Sequence, residues 1–136
     1  MPTAELITLL NDLVLLMTQS PLTVDDVVHH LGKPGTDEYG QAIIEADNEA
    51  IEWAMVVAGE DVEPSFVQLT FTEGLPAEAL HTAFGESHEP PRVPNLPPRA
   101  IFYLNPPGQT HSAAVIADIQ DGSVKTVTVR RDIRLG

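Results

Sequence analysis

The chain is 136 residues long with no cysteine, 43% hydrophobic residues and a formal net charge of −13. Length and apolar content fit one folded domain, residues 1–136, with core enough to need no disulfide or metal staple. The missing cysteines exclude a disulfide framework, a thiolate nucleophile and a thiolate metal site, and the negative charge disfavours nucleic acid as a partner.

In chain order, residues 3–19 read as a helix, with Leu6, Leu9, Leu10, Leu13, Leu16 and Met17 at three- and four-residue spacing. Val14 and Leu15 widen that stripe almost all round, so the helix is expected in the core or at an interface between two copies. Ser20-Pro21 ends it. Thr23 is placed to cap a second helix, with Asp25 and Asp26 in its first turn and Gly32 as a left-handed stop before Pro34.

From Gly35 the texture changes, and residues 50–58 (AIEWAMVVA) and 65–71 (SFVQLTF) read as strands around a turn at 59–64. The second alternates, with Val67, Leu69 and Phe71 on one face and Gln68 and Thr70 on the other. An Ala-rich helix over 41–58 stays open as an alternative. Pro76 opens a third helix at 76–84, closed by Gly85. Five prolines make 86–98 an extended arm. Three strands follow at 99–104, 112–119 and 123–131, the last two joined by the hairpin signal Asp121-Gly122.

These elements predict an α+β fold: N-terminal helices on one face of an antiparallel sheet of about five or six strands. LTVDDVVHHLG (22–32) aligns with LPAEALHTAFG (75–85), which suggests pseudo-repeats over 20–73 and 74–136. In pattern, Leu22–Pro34, with its Leu31-Gly32-Lys33-Pro34 turn, and Leu75–Gly85 resemble the superfamily of the β-lactamase inhibitor protein and the SmpA/OmlA lipoproteins. That resemblance implies a helical pair feeding an antiparallel sheet, singly or in tandem, and protein binding by the exposed sheet face. The lipidated cysteine of the lipoproteins and the disulfides of the inhibitors have no counterpart in a sequence without cysteine, and no signal peptide is expected.

Chemistry is sparse. The adjacent His29 and His30 diverge by about 100° on a helix, and the pairs Asp25/His29 and Asp26/His30 offer two ligands each, short of a metal site. No nucleophile elbow, phosphate loop or dinucleotide fingerprint occurs, so neither an enzyme nor a cofactor is expected. Most large aromatics fall in regular elements and read as core. The exception is Phe102-Tyr103, since strand neighbours face opposite sides. With Arg99 they form the expected binding residues, Phe102, Tyr103 and Arg99.

Charge is uneven: residues 1–90 hold 17 acids and one base, and residues 91–136 hold six bases and three acids. This points to a protein partner with a basic face, or to pairing of two copies through the first helix or the basic last strand. No base precedes Lys33 and no apolar run reaches membrane-spanning length, so a cytoplasmic protein without membrane contact is expected. The function these features favour is a non-enzymatic acidic binding module of the inhibitor, immunity, chaperone or adaptor kind. The alternative is a small-molecule-binding or enzymatic domain with its pocket between helices and sheet.

Overall fold

The structure, a computed structural model, describes residues 2–38, 41–59, 63–91, 93–95 and 98–133. Arg92, Arg134, Tyr39 and the turn residues 60–62 lie outside them. The elements are α1 (Pro2–Met17), α2 (Val24–Leu31), β1 (Gly32–Glu38), β2 (Gln41–Ala46), β3 (Ile51–Ala58), β4 (Pro64–Pro76), α3 (Ala77–Phe84), β5 (Arg99–Leu104), β6 (His111–Gln120) and β7 (Ser123–Ile133). No helix among the described residues is long and apolar enough to cross a membrane.

The seven strands form one antiparallel sheet in the order β1-β2-β3-β4-β7-β6-β5. Two meanders, β1 to β4 and β5 to β7, meet where β4 pairs with β7. Residues 41–46 and 51–58 are strands joined by a turn at 47–50, which settles the helix alternative. The sheet is larger than the five or six strands expected, because the polar segments that form β1 and β2 show no strand alternation in sequence. β1 carries Gly32, Pro34 and Gly35, residues that punctuate loops, but it is an edge strand. There Pro34, opposite Ile44, sits in a position where a missing N–H is tolerated, and a register shift follows between Pro34 and Asp37.

All three helices lie on one face. Leu6, Leu10, Leu13 and Met17 of α1, Val27 and Leu31 of α2 and Leu80 of α3 join one buried cluster with Ala54, Val56, Val67, Leu69, Val115, Val127 and Val129 of the sheet. Leu10 has no exposed surface and belongs to the core, while Leu15 on the same helix is 47% exposed. Thr23 caps α2 with a reciprocal pair, Asp26 N–H donating to Thr23 Oγ1 at 3.1 Å and Thr23 N–H to Asp26 Oδ2 at 3.0 Å. Asp26 is therefore occupied at the cap. Its neighbour Asp25 meets His29 through its backbone carbonyl at 2.9 Å, and not as the carboxylate pair expected from the spacing. Pro76 stands at the cap of α3 and not at its first turn.

α2 and α3 are both eight residues long, with Val24 and Ala77, and Leu31 and Phe84, 53 positions apart. In each the closing glycine N–H returns to the carbonyl four residues back, Gly32 to Val28 and Gly85 to His81. Their reasons for being glycine differ. Gly85 has φ +89°, a left-sided backbone that side chains disfavour. Gly32 is extended, with φ 165°, and so is no left-handed stop. It is required by close approach: a Cβ there would overlap the carbonyl oxygen of Glu45 on β2. At the β6–β7 hairpin, Asp121 and Gly122 have φ 52° and 75°, the paired positive values of a type I′ turn.

The C-terminal end of α1 is closed by residues far away in sequence. Its last carbonyls have no partner within the helix. Gln109 Nε2 donates to the Leu15 carbonyl at 2.8 Å, the His111 N–H to Thr18 O at 3.0 Å, and Arg131 Nε to Met17 O at 3.0 Å. Arg131 Nη2 donates to Gln19 O at 2.7 Å, and its Nη1 is ion-paired with Glu63. The Arg131 side chain is 5% exposed. A guanidinium at this position also complements the negative end of the helix dipole.

Candidate functional site

Strand periodicity sends alternate residues to opposite faces, and the helices occupy only one of them. The other face carries three rows of residues in register. One runs Val57, Phe66, Arg130, Ala114, Tyr103; the next Ile43, Met55, Gln68, Thr128, Ile116, Ile101; the third Trp53, Thr70, Thr126, Asp118, Arg99. Each described helix packs on the opposite side, so this surface is uncovered by helix. Its large side chains lie open to solvent: Tyr103 is 56% exposed and Trp53 37%.

Two clefts cross the face and share Arg130 as a wall. One, about 270 Å³, has Phe66, Gln68, Ile116 and Thr128 as its floor, with Arg99, Asp118 and Arg130 around it. The other, about 440 Å³, runs past Tyr103 and Asn105 to Ser112 and Asp132. Gln68 Nε2 donates to Thr128 Oγ1 at 3.3 Å, which fixes the floor's polar pair.

The charges here are balanced. Arg99 Nε donates to Asp118 Oδ1 at 3.0 Å. Arg130 holds Asp132 through Nε at 2.8 Å and Nη2 at 3.1 Å, a two-pronged contact. Asp132 raises the Arg130 pKa above its already high ordinary value, against the effect of burial, and the Tyr103 phenol adds to that rise. Arg130 is therefore a fixed cation, oriented by Asp132 beside Tyr103. With Arg130 paired and Arg131 buried under α1, the last strand presents less positive charge than its composition suggests.

The residues expected at the site divide. Phe102 is 1% exposed. On the core face it meets the ring of His81 edge-on at 5.2 Å and that of Phe84 at 5.9 Å. Tyr103 and Arg99 share the open face, two rows apart with Ile101 between them. The ring of His88 stands edge-on to Tyr103 at 5.2 Å, and its backbone bridges to Ile101 at the outer edge of β5. Trp53 and Phe66, expected in the core, belong to this face. Phe66 has the same parity as Gln68 and Thr70, so the alternation in SFVQLTF already placed it there. Trp53 lies in a run with no polar alternation, which hid its side. Among the described residues, no three His, Asp or Glu side chains converge as a metal site would require.

No protein-family model and no curated protein matches the chain. A solved structure with a similar fold is that of a DUF4309 family protein, YjgB, from Bacillus subtilis, with a TM-score of 0.52 at 12% identity over 84% of this chain and 81% of that one. That likeness is one of fold alone: helices and an antiparallel sheet arranged alike in two chains of nearly unrelated sequence.

Proposed function

We propose that the chain is a non-enzymatic protein-binding module, of the inhibitor, immunity, chaperone or adaptor kind, and that it docks its partner on the open sheet face. The observation that carries this reading is the exposure of Trp53 and Tyr103 on a sheet face with apolar floor residues and no covering helix. Exposed aromatic side chains beside apolar ones mark interaction sites, and Trp, Tyr and Arg dominate their energetics. Its extent supports the reading too. Six strands about 4.8 Å apart and rows spanning roughly 17 Å give about 500 Å² per partner, about 1,000 Å² in total, the size of a weak or transient interface. The resemblance to the β-lactamase inhibitor protein and SmpA/OmlA superfamily leans the same way. So does the pairing of two helix-led meanders, which we read as a duplication.

The cleft between α1 and α3 favours the second reading, a small-molecule site. It measures about 490 Å³ and is lined by Val14, Leu15, Phe84 and Leu104 with Asn11 and Asn105. Its volume suits a small ligand, but it lacks converging charged groups.

The docking reading is tested by affinity capture from host lysate at moderate salt. Wild type and a Glu78→Gln control on α3 are expected to retain the same partner. The double variant Tyr103→Ala/Arg99→Ala is expected to lose at least about tenfold in recovery, since hot-spot truncations cost upward of roughly 1–2 kcal/mol each. Equal recovery by all three would move the interface elsewhere.

Net charge bears on the choice of partner. Two copies meeting on this face would bring two bodies of charge −13 to about 30 Å apart. Coulomb's law with screening puts that repulsion at roughly 9 kcal/mol in 0.01 M salt and below about 1 kcal/mol at 0.15 M. Self-association would strengthen with salt, whereas binding of a cationic partner would weaken.

A further inference from the structure

We infer that the occupant of the open face is a cationic protein segment, with an apolar stripe seated over Phe66 and Ile116 and Lys or Arg side chains at the Trp53 end. This rests on the docking reading above and adds the partner's chemistry and orientation. The centre of the face sets Phe66 and Ile116 around the satisfied Gln68–Thr128 pair and is electrically balanced, because Asp118 and Asp132 already hold Arg99 and Arg130. A charged anchor would find no uncompensated opposite charge there, so the roughly 270 Å³ groove suits an apolar one.

The two ends of the face differ. At the Tyr103 end stand Arg130 and its Asp132. At the Trp53 end, the β2–β3 segment and the neighbouring part of β4 carry five exposed acids: Glu45, Asp47, Glu49, Glu52 and Glu73. Glu45, of the same parity as Ile43, stands opposite Lys33 on the edge strand β1, and Glu52 precedes Trp53 on β3; Glu49 and Glu73 line a cleft with Glu5 and Leu6 of α1, on the helical side of this end. An acidic rim next to an exposed indole attracts Lys and Arg twice, through charge and through the ring face. A second copy brings the same acidic rim and is repelled by it.

Trp53 is the sole tryptophan, so its fluorescence reports directly on the face. The probes are a short amphipathic peptide of Leu and Lys and its Leu/Glu counterpart. The Leu/Lys peptide is expected to reduce acrylamide quenching of Trp53 at least about twofold, and its affinity to fall roughly tenfold between low and physiological salt. Ile116→Asp and, as a second exposed-site variant, Tyr103→Ser are each expected to weaken it about tenfold. Glu45→Gln/Glu52→Gln should weaken it by severalfold while leaving the melting temperature in place.

Shielding of Trp53 by the Leu/Glu peptide, or by neither peptide, overturns the cationic assignment. So does shielding by self-association that grows with salt; both the Leu/Glu and the self-association results leave the docking face standing. Binding of the Leu/Lys peptide with Trp53 still fully quenched and both face variants silent places the contact on another surface, and overturns the docking reading as well.

Discussion

Replacing Arg131 with alanine is expected to remove about 3 kcal/mol of stability, the low end for breaking a buried ion pair. For 136 residues, at roughly 2.1 cal/mol/K of unfolding entropy per residue, that is a fall of about 10 °C in melting temperature. The side chain is 5% exposed and joins three parts of the fold: the carbonyls of Met17 and Gln19 at the end of α1, and Glu63 just before β4. Its loss leaves the Met17 carbonyl without its guanidinium donor and releases the tie from β7 to Gln19 and Glu63. The related variants test the mechanism. Arg131→Lys should recover less than half of the loss, because one ammonium cannot match the planar fork of a guanidinium across these partners. Glu63→Gln should cost less than Arg131→Ala, since Glu63 is 32% exposed and can draw on solvent. Thermal melts followed by far-ultraviolet circular dichroism measure all three. A drop below about 1 kcal/mol for Arg131→Ala would mean that α1 is held by its apolar stripe alone.

Phe102 and Tyr103 are adjacent in sequence and are expected to behave oppositely. Phe102→Ala empties a site enclosed by His81 and Phe84 on the helix side, and should cost about 4 kcal/mol, again more than 10 °C in melting temperature. Tyr103→Ala removes a ring 56% exposed, and should change stability by less than about 1 kcal/mol. Partner binding should follow the reverse order: largely preserved in whatever fraction of Phe102→Ala remains folded, and lost in Tyr103→Ala. Denaturant titration read beside a binding isotherm separates the two effects. Equal destabilisation by both would mean that the outer face is packed in the native protein.

That opposition was legible in the chain, because strand neighbours cannot share a side. The same rule made Val67, Leu69 and Phe71 readable as one face, and the Asp121-Gly122 dipeptide made the last hairpin readable. β1 was not. Its glycines and proline carry loop chemistry, and only its place at the sheet edge, a property of the whole fold, makes those residues acceptable in a strand. The glycine of the α2 stop was recognised for the wrong reason: Gly32 is held by the nearness of Glu45 across the β1–β2 pair, a contact that depends on a strand the sequence did not mark. Arg131 was counted as part of a basic strand. Its burial depends on contacts with residues 112 and 114 positions away, beyond the reach of any local pattern. The candidate face was half visible: Tyr103 and Arg99 by alternation, but Arg130, Trp53 and Ile116 only once the register of the seven strands was known.

The proposed seat of the partner is the uncovered sheet face. The most direct measurement places a photoreactive benzoylphenylalanine at position 103 and, separately, at position 8 on the exposed side of α1, and illuminates each protein in host lysate. A discrete crosslinked species is expected from position 103, suppressed by excess unlabelled wild type, and none from position 8. A specific crosslink from position 8 with none from position 103 would contradict it and assign the interface to the helical side.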